Sequence, residues 1–382
     1  MPTRVAFVNL QLGDELLGLT QAIRGQARAA QECNLPIDFY IINPIQEKLE
    51  NGIHYKRFEQ SRLGENATRL FRSRLLQRFE LLNQYDVALV RYPMAIDLDP
   101  LALLRARRCP IITVHHTKEV DEILSWRRGV GSYARALIER FNGHRFLSRV
   151  DGISAVTDEI RRYELERAAR SIPSFTVSNG IDVSRVPTSG FVPFAGAELR
   201  LLFIASSHSP WHGTERLLAS VRSYRGPVRI VLHMVGDAAQ TPAGTRQVEG
   251  PLTIINHGTL RGEPLEAVFR DSMLAISSLG MLRIGLRQGC VLKTREYVAR
   301  GLPFVYGYDD VDLTADLPFC KKLDASDAPF SMDELIQFAS DLRNRTGLSE
   351  KMRSWAQTHI DWTVKMREYY QFASDVAQGK NR

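Results

Sequence analysis

Apolar positions along the chain fall into short, nearly continuous runs divided by longer stretches of helical spacing. Arg4–Leu10 (RVAFVNL), Ile37–Asn43 (IDFYIIN), Asp86–Tyr92 (DVALVRY), Pro110–Val114 (PIITV), Asp151–Val156 (DGISAV) and Ser174–Val177 are strand-like runs with little polar alternation. Helical patterns near 20–33 and 68–83 lie between them. A strand apolar on both faces must be covered on both faces, so this alternation predicts a parallel sheet clad in helices. The pattern breaks at Pro187–Gly196 (PTSGFVPFAG) and then restarts. Leu199–Ser206, Val228–Val235, Leu252–His257, Met273–Ser277 and Leu302–Tyr306 are the new strands, with helices near 214–224, 265–271 and 293–300. An amphipathic helical stretch follows from about Met332 to Gln378.

The chain has 382 residues, more than one hydrophobic core usually serves. The expected fold is therefore α/β, with two Rossmann-like doubly wound domains at 1–187 and 196–360 facing across a cleft. Residues 361–382 are expected to form a helix that crosses back to the first domain. Ligands of such sheets bind beyond the carboxyl ends of the strands. That rule selects the loops Gln11–Gly18, His115–Glu119, Ser207–Gly213 and Leu279–Lys293.

No apolar run approaches the roughly 18 to 20 residues of a membrane helix, and MPTRVAFVNLQLGDELL lacks a signal-peptide pattern, so a cytoplasmic location is expected. Cys33, Cys109, Cys290 and Cys320 are scattered without metal-finger spacing and read as thiols. The net charge of +7 points to an anionic partner without naming it. Between Trp126 and Arg149, Arg127, Arg128, Arg135, Arg140, Arg145 and Arg149 face the single acid Glu139, interleaved with Tyr133, Leu137, Phe141 and Phe146. Two readings stand: a helix resting on anionic lipid headgroups, or a solvated arginine face on a core helix.

Gly13-Asp-Glu-Leu-Leu-Gly18-Leu19-Thr20 has the spacing of a phosphate-cradling loop, but Leu19 stands where the essential lysine belongs. Gly13 is better explained as part of a turn that lets a ligand approach a helix N-terminus. His115 and His116 end the strand PIITV, where a histidine can hold a substrate hydroxyl or a developing charge. A metal at His115 and Glu119 would lack a third ligand in the sequence. Ser206–Gly213, containing His212, opens a helix whose amides can face a phosphate. From Leu279 to Pro303, a glycine-rich loop leads into a helix whose first turns carry Lys293, Arg295 and Glu296. Cations at a helix N-terminus oppose its dipole unless an anion offsets them. A diphosphate site would need this pattern, with Glu296 on a ribose diol. Alternatively, Glu296 pairs with Arg300 at i, i+4.

These residues resemble those of the family-4 group of retaining glycosyltransferases with the two-domain B-type fold. Glu296-Tyr-Val-Ala299-Arg-Gly301-Leu302-Pro303 is similar to the second half of that family's Glu-x7-Glu helix and its Ala-x-Gly-Leu-Pro tail. Gln288 stands where the family has the first glutamate, which helps to hold the donor sugar. Val177-Ser-Asn179-Gly180-Ile-Asp182 is similar to the Asn-Gly-x-Asp turn, and Asn256-His257-Gly258 to a strand end near the base. His212 stands in the place of a phosphate-binding lysine, a charge that Arg283 or Lys293 takes over. Trp-His-Gly with Leu-Lys-Thr-Arg-Glu-Tyr resembles a bacterial surface-polysaccharide subgroup.

The resemblance implies front-face glycosyl transfer with retention, from a nucleotide-sugar donor to a glycan or polyprenyl-linked glycan acceptor. His116, or its neighbour His115, is the implied catalytic histidine. Glu296, Lys293, Arg283, Gln288, Gly213, His212, His257 and Gly13 are the expected donor-binding residues. No metal, other cofactor or nucleic acid is expected, and an anionic membrane on the cytoplasmic side is an expected surface partner. The rival readings are a nucleotide-sugar-binding protein without transferase activity and a nucleotide-sugar epimerase. An epimerase needs several acid/base carboxylates, and the candidate loops offer Glu119 and Asp14.

Overall fold

The computed structural model describes residues 1–11, 17–58, 80–92, 99–126, 129–205, 209–237 and 242–380. It divides into two compact units, Met1–Asp182 with Trp362–Arg382, and Val183–Asp361. The first unit thus ends at Asp182 where the sequence suggested 187.

The first unit is built on an eight-stranded sheet: β1 (Val5–Leu10), β2 (Ile37–Asn43), β3 (Lys48–Glu50), β4 (Ile53–Arg57), β5 (Val87–Arg91), β6 (Ile111–His115), β7 (Gly152–Ala155) and β8 (Ser174–Thr176). Their order is β3-β4-β2-β1-β5-β6-β7-β8, and only the β3–β4 pair is antiparallel. Side chains alternate across a strand, and here both alternating sets are apolar. Val5 and Phe7 enter a core with Ile23, Ala27, Met366, Tyr369 and Phe372, whereas Ala6 and Val8 enter another with Leu103, Phe146 and Leu147. The first core is formed under α1 (Leu17–Glu32); helices α2 (Ala102–Ala106), α3 (Glu119–Trp126), α4 (Val130–Leu147) and α5 (Asp158–Ala168) follow along the chain. Thr157 caps α5 by accepting a hydrogen bond from the Ile160 amide at 3.2 Å.

The second unit has a seven-stranded sheet. Its strands are β9 (Glu198–Ala205), β10 (Arg229–Gly236), β11 (Arg246–Glu249), β12 (Leu252–Gly258), β13 (Leu274–Ile276), β15 (Phe304–Tyr306) and β17 (Cys320–Lys322). Two further strands, β14 (Gln288–Gly289) and β16 (Asp309–Asp310), pair only with each other. The sheet order is β11-β12-β10-β9-β13-β15-β17, parallel except for β11. The chain runs outward from β9 to β12, then reverses through β13, so the strand order switches between β9 and β13. The equivalent switch in the first unit lies between β1 and β5. Helices α6 (Thr214–Ser223), α7 (Glu263–Asp271), α8 (Leu292–Arg300), α9 (Met332–Leu342) and α10 (Leu348–His359) complete the unit, and α11 (Trp362–Ala377) belongs to the first. Trp362 lies against Gly25 of α1, where a Cβ would come within 2.5 Å of its ring.

The short strands β3 and β4 replace what reads in sequence as a polar connection. The helical pattern at 68–83 lies mostly outside the described residues, as do Gly13, Asp14, Arg127 and Arg128. No helix among the described residues is long and apolar enough to cross a membrane.

Candidate functional site

In the first unit, the two neighbouring histidines at the end of β6 are not equivalent. His115 is fully buried. Its Nδ1 is 3.1 Å from Glu119 Oε1, its Nε2 is 3.0 Å from Thr113 Oγ1, and its ring stacks on Tyr92 at 4.6 Å. Both ring nitrogens are used inside the domain, so the structure corrects His115 from a catalytic candidate to an interior residue. His116 is half-buried and makes no side-chain hydrogen bond among the described residues. Burial, followed by Arg91 and His115, holds its pKa well below the ordinary histidine value. A neutral imidazole at neutral pH is suited to hold a hydroxyl.

Arg91, at the end of β5, was not singled out from the sequence. Burial lowers its pKa, partly offset by Tyr369, Glu122 and Glu119. It has no ion pair among the described residues. Its strand-end place beside the β1–β5 switch was the available signal, since that is where the sheet binds ligands.

Beneath His115 lies a buried charge cluster. Arg167 donates to Glu164 at 2.8 Å, Glu119 at 3.3 Å and Glu139 at 2.5 Å, and Tyr92 donates to Glu139 at 2.7 Å. Glu164 supplies the third ligand type that the sequence lacked, because its carboxylate approaches His115 to 3.7 Å. Arg167 already supplies a counter-charge to this group. Burial, then Glu119, pushes the Glu164 pKa well up, whereas His115 and Arg167 outweigh burial at Glu119 and pull it down. Burial raises the Glu139 pKa as well, so Glu119 is the one carboxylate of the three that its surroundings favour as the anion.

In the second unit, the loops after β9 and β13 meet at the topological switch. Leu279 N–H donates to His212 O and Gly280 N–H to Trp211 O, each at 3.1 Å. Gly213 has φ of +68°, and a Cβ there would lie 2.8 Å from the Leu279 backbone, so only glycine fits. Its amide donates to Pro210 O at 3.2 Å. That corrects the expectation of a free phosphate-facing amide: Gly213 permits the close approach of two loops.

Lys293 enters this junction from the first turn of α8. Its Nζ donates to Ile204 O at 3.1 Å, lies 3.2 Å from His212 Nδ1 and sits 4.6 Å from the centre of the Phe203 ring. No carboxylate pairs with it among the described residues. The residue as a whole is half-buried, but its amine is enclosed, and this loss of water pulls its pKa down to about 7. The Thr294 and Arg295 amides donate to Val291 O at 3.0 and 3.4 Å, so those of Leu292 and Lys293 are the ones at this end without an acceptor inside the helix. An anion here would meet an ammonium group and the positive end of a helix together.

The other cations are committed elsewhere. Arg283 donates to Glu215 at 2.6 Å and to Asp327 at 2.7 Å. Arg295 is fully buried, bonded to Asp310 at 2.6 Å, to Cys290 and to Asp312. Of the two residues expected to replace the lysine at position 212, Lys293 has the unpaired charge. Glu296 accepts from Arg300 at 2.9 Å, the i, i+4 pair weighed in sequence, and Glu266 grips the same arginine at 2.6 and 2.9 Å. Gln288 is half-buried on β14, opposite Asp309. His257 stacks on His233 at 5.2 Å, with Nε2 to Nδ1 at 2.9 Å, and burial lowers both pKa values. His233 belongs to no motif and was missed.

Residues 29–185 match the family model described as Glycosyltransferase Family 4. No curated protein matches the sequence. Among solved structures, sucrose-phosphate synthase from Thermosynechococcus elongatus superposes with a TM-score of 0.67 at 12% identity, covering 98% of this chain and 100% of that one. A glycosyltransferase from Rickettsia africae gives 0.64 at 11% identity, covering 98% of each chain. HepE from Anabaena, in complex with UDP and glucose, gives 0.59 at 13% identity, covering 97% and 99%. The fold is that of the two-domain, GT-B glycosyltransferases.

Proposed function

We propose that the protein is a glycosyltransferase that moves a sugar, with retention, from a nucleoside-diphosphate sugar to a glycan or polyprenyl-linked glycan in bacterial surface polysaccharide synthesis. The observation that carries this reading is Lys293. An amine without a carboxylate partner lies at a helix N-terminus, at the switch point of a parallel sheet, where a diphosphate would offset its charge. The family match in the first unit, the fold of both units and the UDP-sugar complexes of HepE support the same reading.

In this mechanism Lys293 and the Leu292 and Lys293 amides at the start of α8 take the charge of the departing diphosphate, doing electrostatically what a metal does in other transferases. Glu296, oriented by Arg300, accepts from the ribose hydroxyls. Gln288 donates to a sugar hydroxyl. His116, neutral, holds a hydroxyl at the reacting carbon, and the diphosphate oxygen receives the acceptor's proton. Incubation with a panel of nucleotide sugars, with and without chelator, tests this. Diphosphate release with one donor and a retained anomeric centre is expected. Tight binding without release would favour a non-catalytic nucleotide-sugar-binding protein.

A further inference from the structure

Helix α4 has two apolar faces. The inner one carries Ala136, Gly143, Phe146 and Leu147, all buried, together with Glu139. The outer one carries Val130, Tyr133, Leu137 and Phe141, which are 89%, 59%, 68% and 62% exposed. At 3.6 residues per turn these four fall within about 80° of arc and about 16 Å of helix. Ala134 is exposed between them. Isolated exposed apolar residues are ordinary, but a continuous stripe directed away from the core is not.

Charge on this helix is sorted by face. Its one acid, Glu139, is drawn inward by Arg167 and Tyr92. Arg135, Arg140 and Arg145 are exposed and form no ion pair among the described residues. Arg140 borders the stripe on one side and Arg145 on the other, with the Arg145 guanidinium 5.5 Å from the centre of the Phe141 ring. The outer face is therefore apolar in the middle, cationic at the borders and free of carboxylates.

We propose that α4 is a membrane-docking helix that lies on an anionic bilayer, with Val130, Tyr133, Leu137 and Phe141 among the acyl chains and the arginines on phosphate headgroups. Apolar residues sink into the headgroup boundary while long cationic side chains stay at the charged surface. A second copy of the chain is a poor occupant. A two-fold contact through this face would set arginine borders near one another with no acid to relieve them. The inference goes beyond the transfer reaction and does not depend on it.

The full chain is to be co-sedimented with vesicles of phosphatidylcholine alone and of phosphatidylcholine mixed with phosphatidylglycerol. Binding to the anionic vesicles, weakening as salt rises, is expected. Each arginine near such a surface contributes on the order of fivefold. The Arg140→Gln/Arg145→Gln variant should therefore partition about 25-fold more weakly at low salt. Leu137→Ser/Phe141→Ser should lose binding at every salt concentration. All four residues are exposed, so the variants should melt with the parent and keep its nucleotide affinity. Equal binding to neutral and anionic vesicles, or unchanged partition of either variant, would overturn the proposal. So would sedimentation velocity showing a dimer that Leu137→Ser/Phe141→Ser dissolves.

Discussion

Replacing Lys293 with methionine keeps the length of the side chain and removes its charge. Enclosure of the amine takes its pKa to about 7, so roughly half the molecules carry a neutral lysine at pH 7 and about nine-tenths at pH 8. A diphosphate binds the charged form, so binding must draw in a proton. That costs about 0.4 kcal/mol at pH 7 and about 1.4 kcal/mol at pH 8. The parent should thus bind its nucleoside diphosphate about fivefold more weakly at pH 8 than at pH 7. Above the last phosphate ionisation near pH 6, the ligand itself adds little to this slope. Once charged, the contact contributes about 1.5 to 3 kcal/mol, so Lys293→Met should lose about 1 to 2.5 kcal/mol of affinity at pH 7. Calorimetry in two buffers of different ionisation enthalpy should read uptake of about half a proton at pH 7 and nearly one at pH 8 in the parent. The variant should take up close to none. Stability of the unliganded protein has the opposite sign. The unfolded lysine holds its proton up to about pH 10.5, so folding becomes more favourable as pH rises from about 7 toward that value. Equal proton uptake by parent and variant, with both folded, would refute the reasoning.

Glu296→Gln should weaken nucleotide binding by about 1.5 to 3 kcal/mol in a calorimetric titration. Its melting temperature should barely move, because the Arg300 pair is partly exposed and Glu266 still holds the arginine. His116→Ala should lower kcat about 100- to 1,000-fold in a donor-turnover assay with nucleotide affinity intact. His115→Ala should instead lose about 1 to 3 kcal/mol of stability, measured by urea unfolding, because buried Glu119 and Thr113 lose a hydrogen-bond partner while Arg167 still holds Glu119. Gly213→Ala should cost about 1 to 3 kcal/mol of stability from backbone strain at φ of +68°, and more if the Leu279 loop must move, with weakened nucleotide binding as the second readout.

Most of the framework was legible because it rests on short-range pattern. Phe7 and Val8 are both apolar since both faces of β1 are covered, and that is visible in RVAFVNL without coordinates. Strands β3 and β4 were hidden because Lys48, Glu50, His54 and Lys56 give an edge hairpin the composition of a loop. The glycine-rich approach to α8 and the place of Lys293 in its first turn could be read from the sequence. Sequence could not divide labour between Arg283, Arg295 and Lys293. Their carboxylate partners Glu215, Asp310, Asp312 and Asp327 lie at various distances along the chain and meet them only in the fold. The same reason concealed Glu164, which meets His115, and Arg167, which meets Glu119, each across a gap of some fifty residues. His115 and His116 are indistinguishable as letters, and the alternation of side chains along β6 separates them.

The assignment of α11 to the first unit fixes an order of events during synthesis. Trp362, Met366, Tyr369, Phe372 and Val376 are part of the core that Val5, Phe7 and Ile23 begin. A ribosome adding about 5 to 20 residues per second must therefore deliver the whole of Val183–Asp361 before the earlier sheet can close on its missing helix. The unit that is second in sequence is the first able to finish folding. Until then the nascent sheet exposes an unclosed apolar face, the kind of surface that chaperones engage. A chain cut short anywhere in the second unit would have a first domain with most of its letters and only one of its two cores complete.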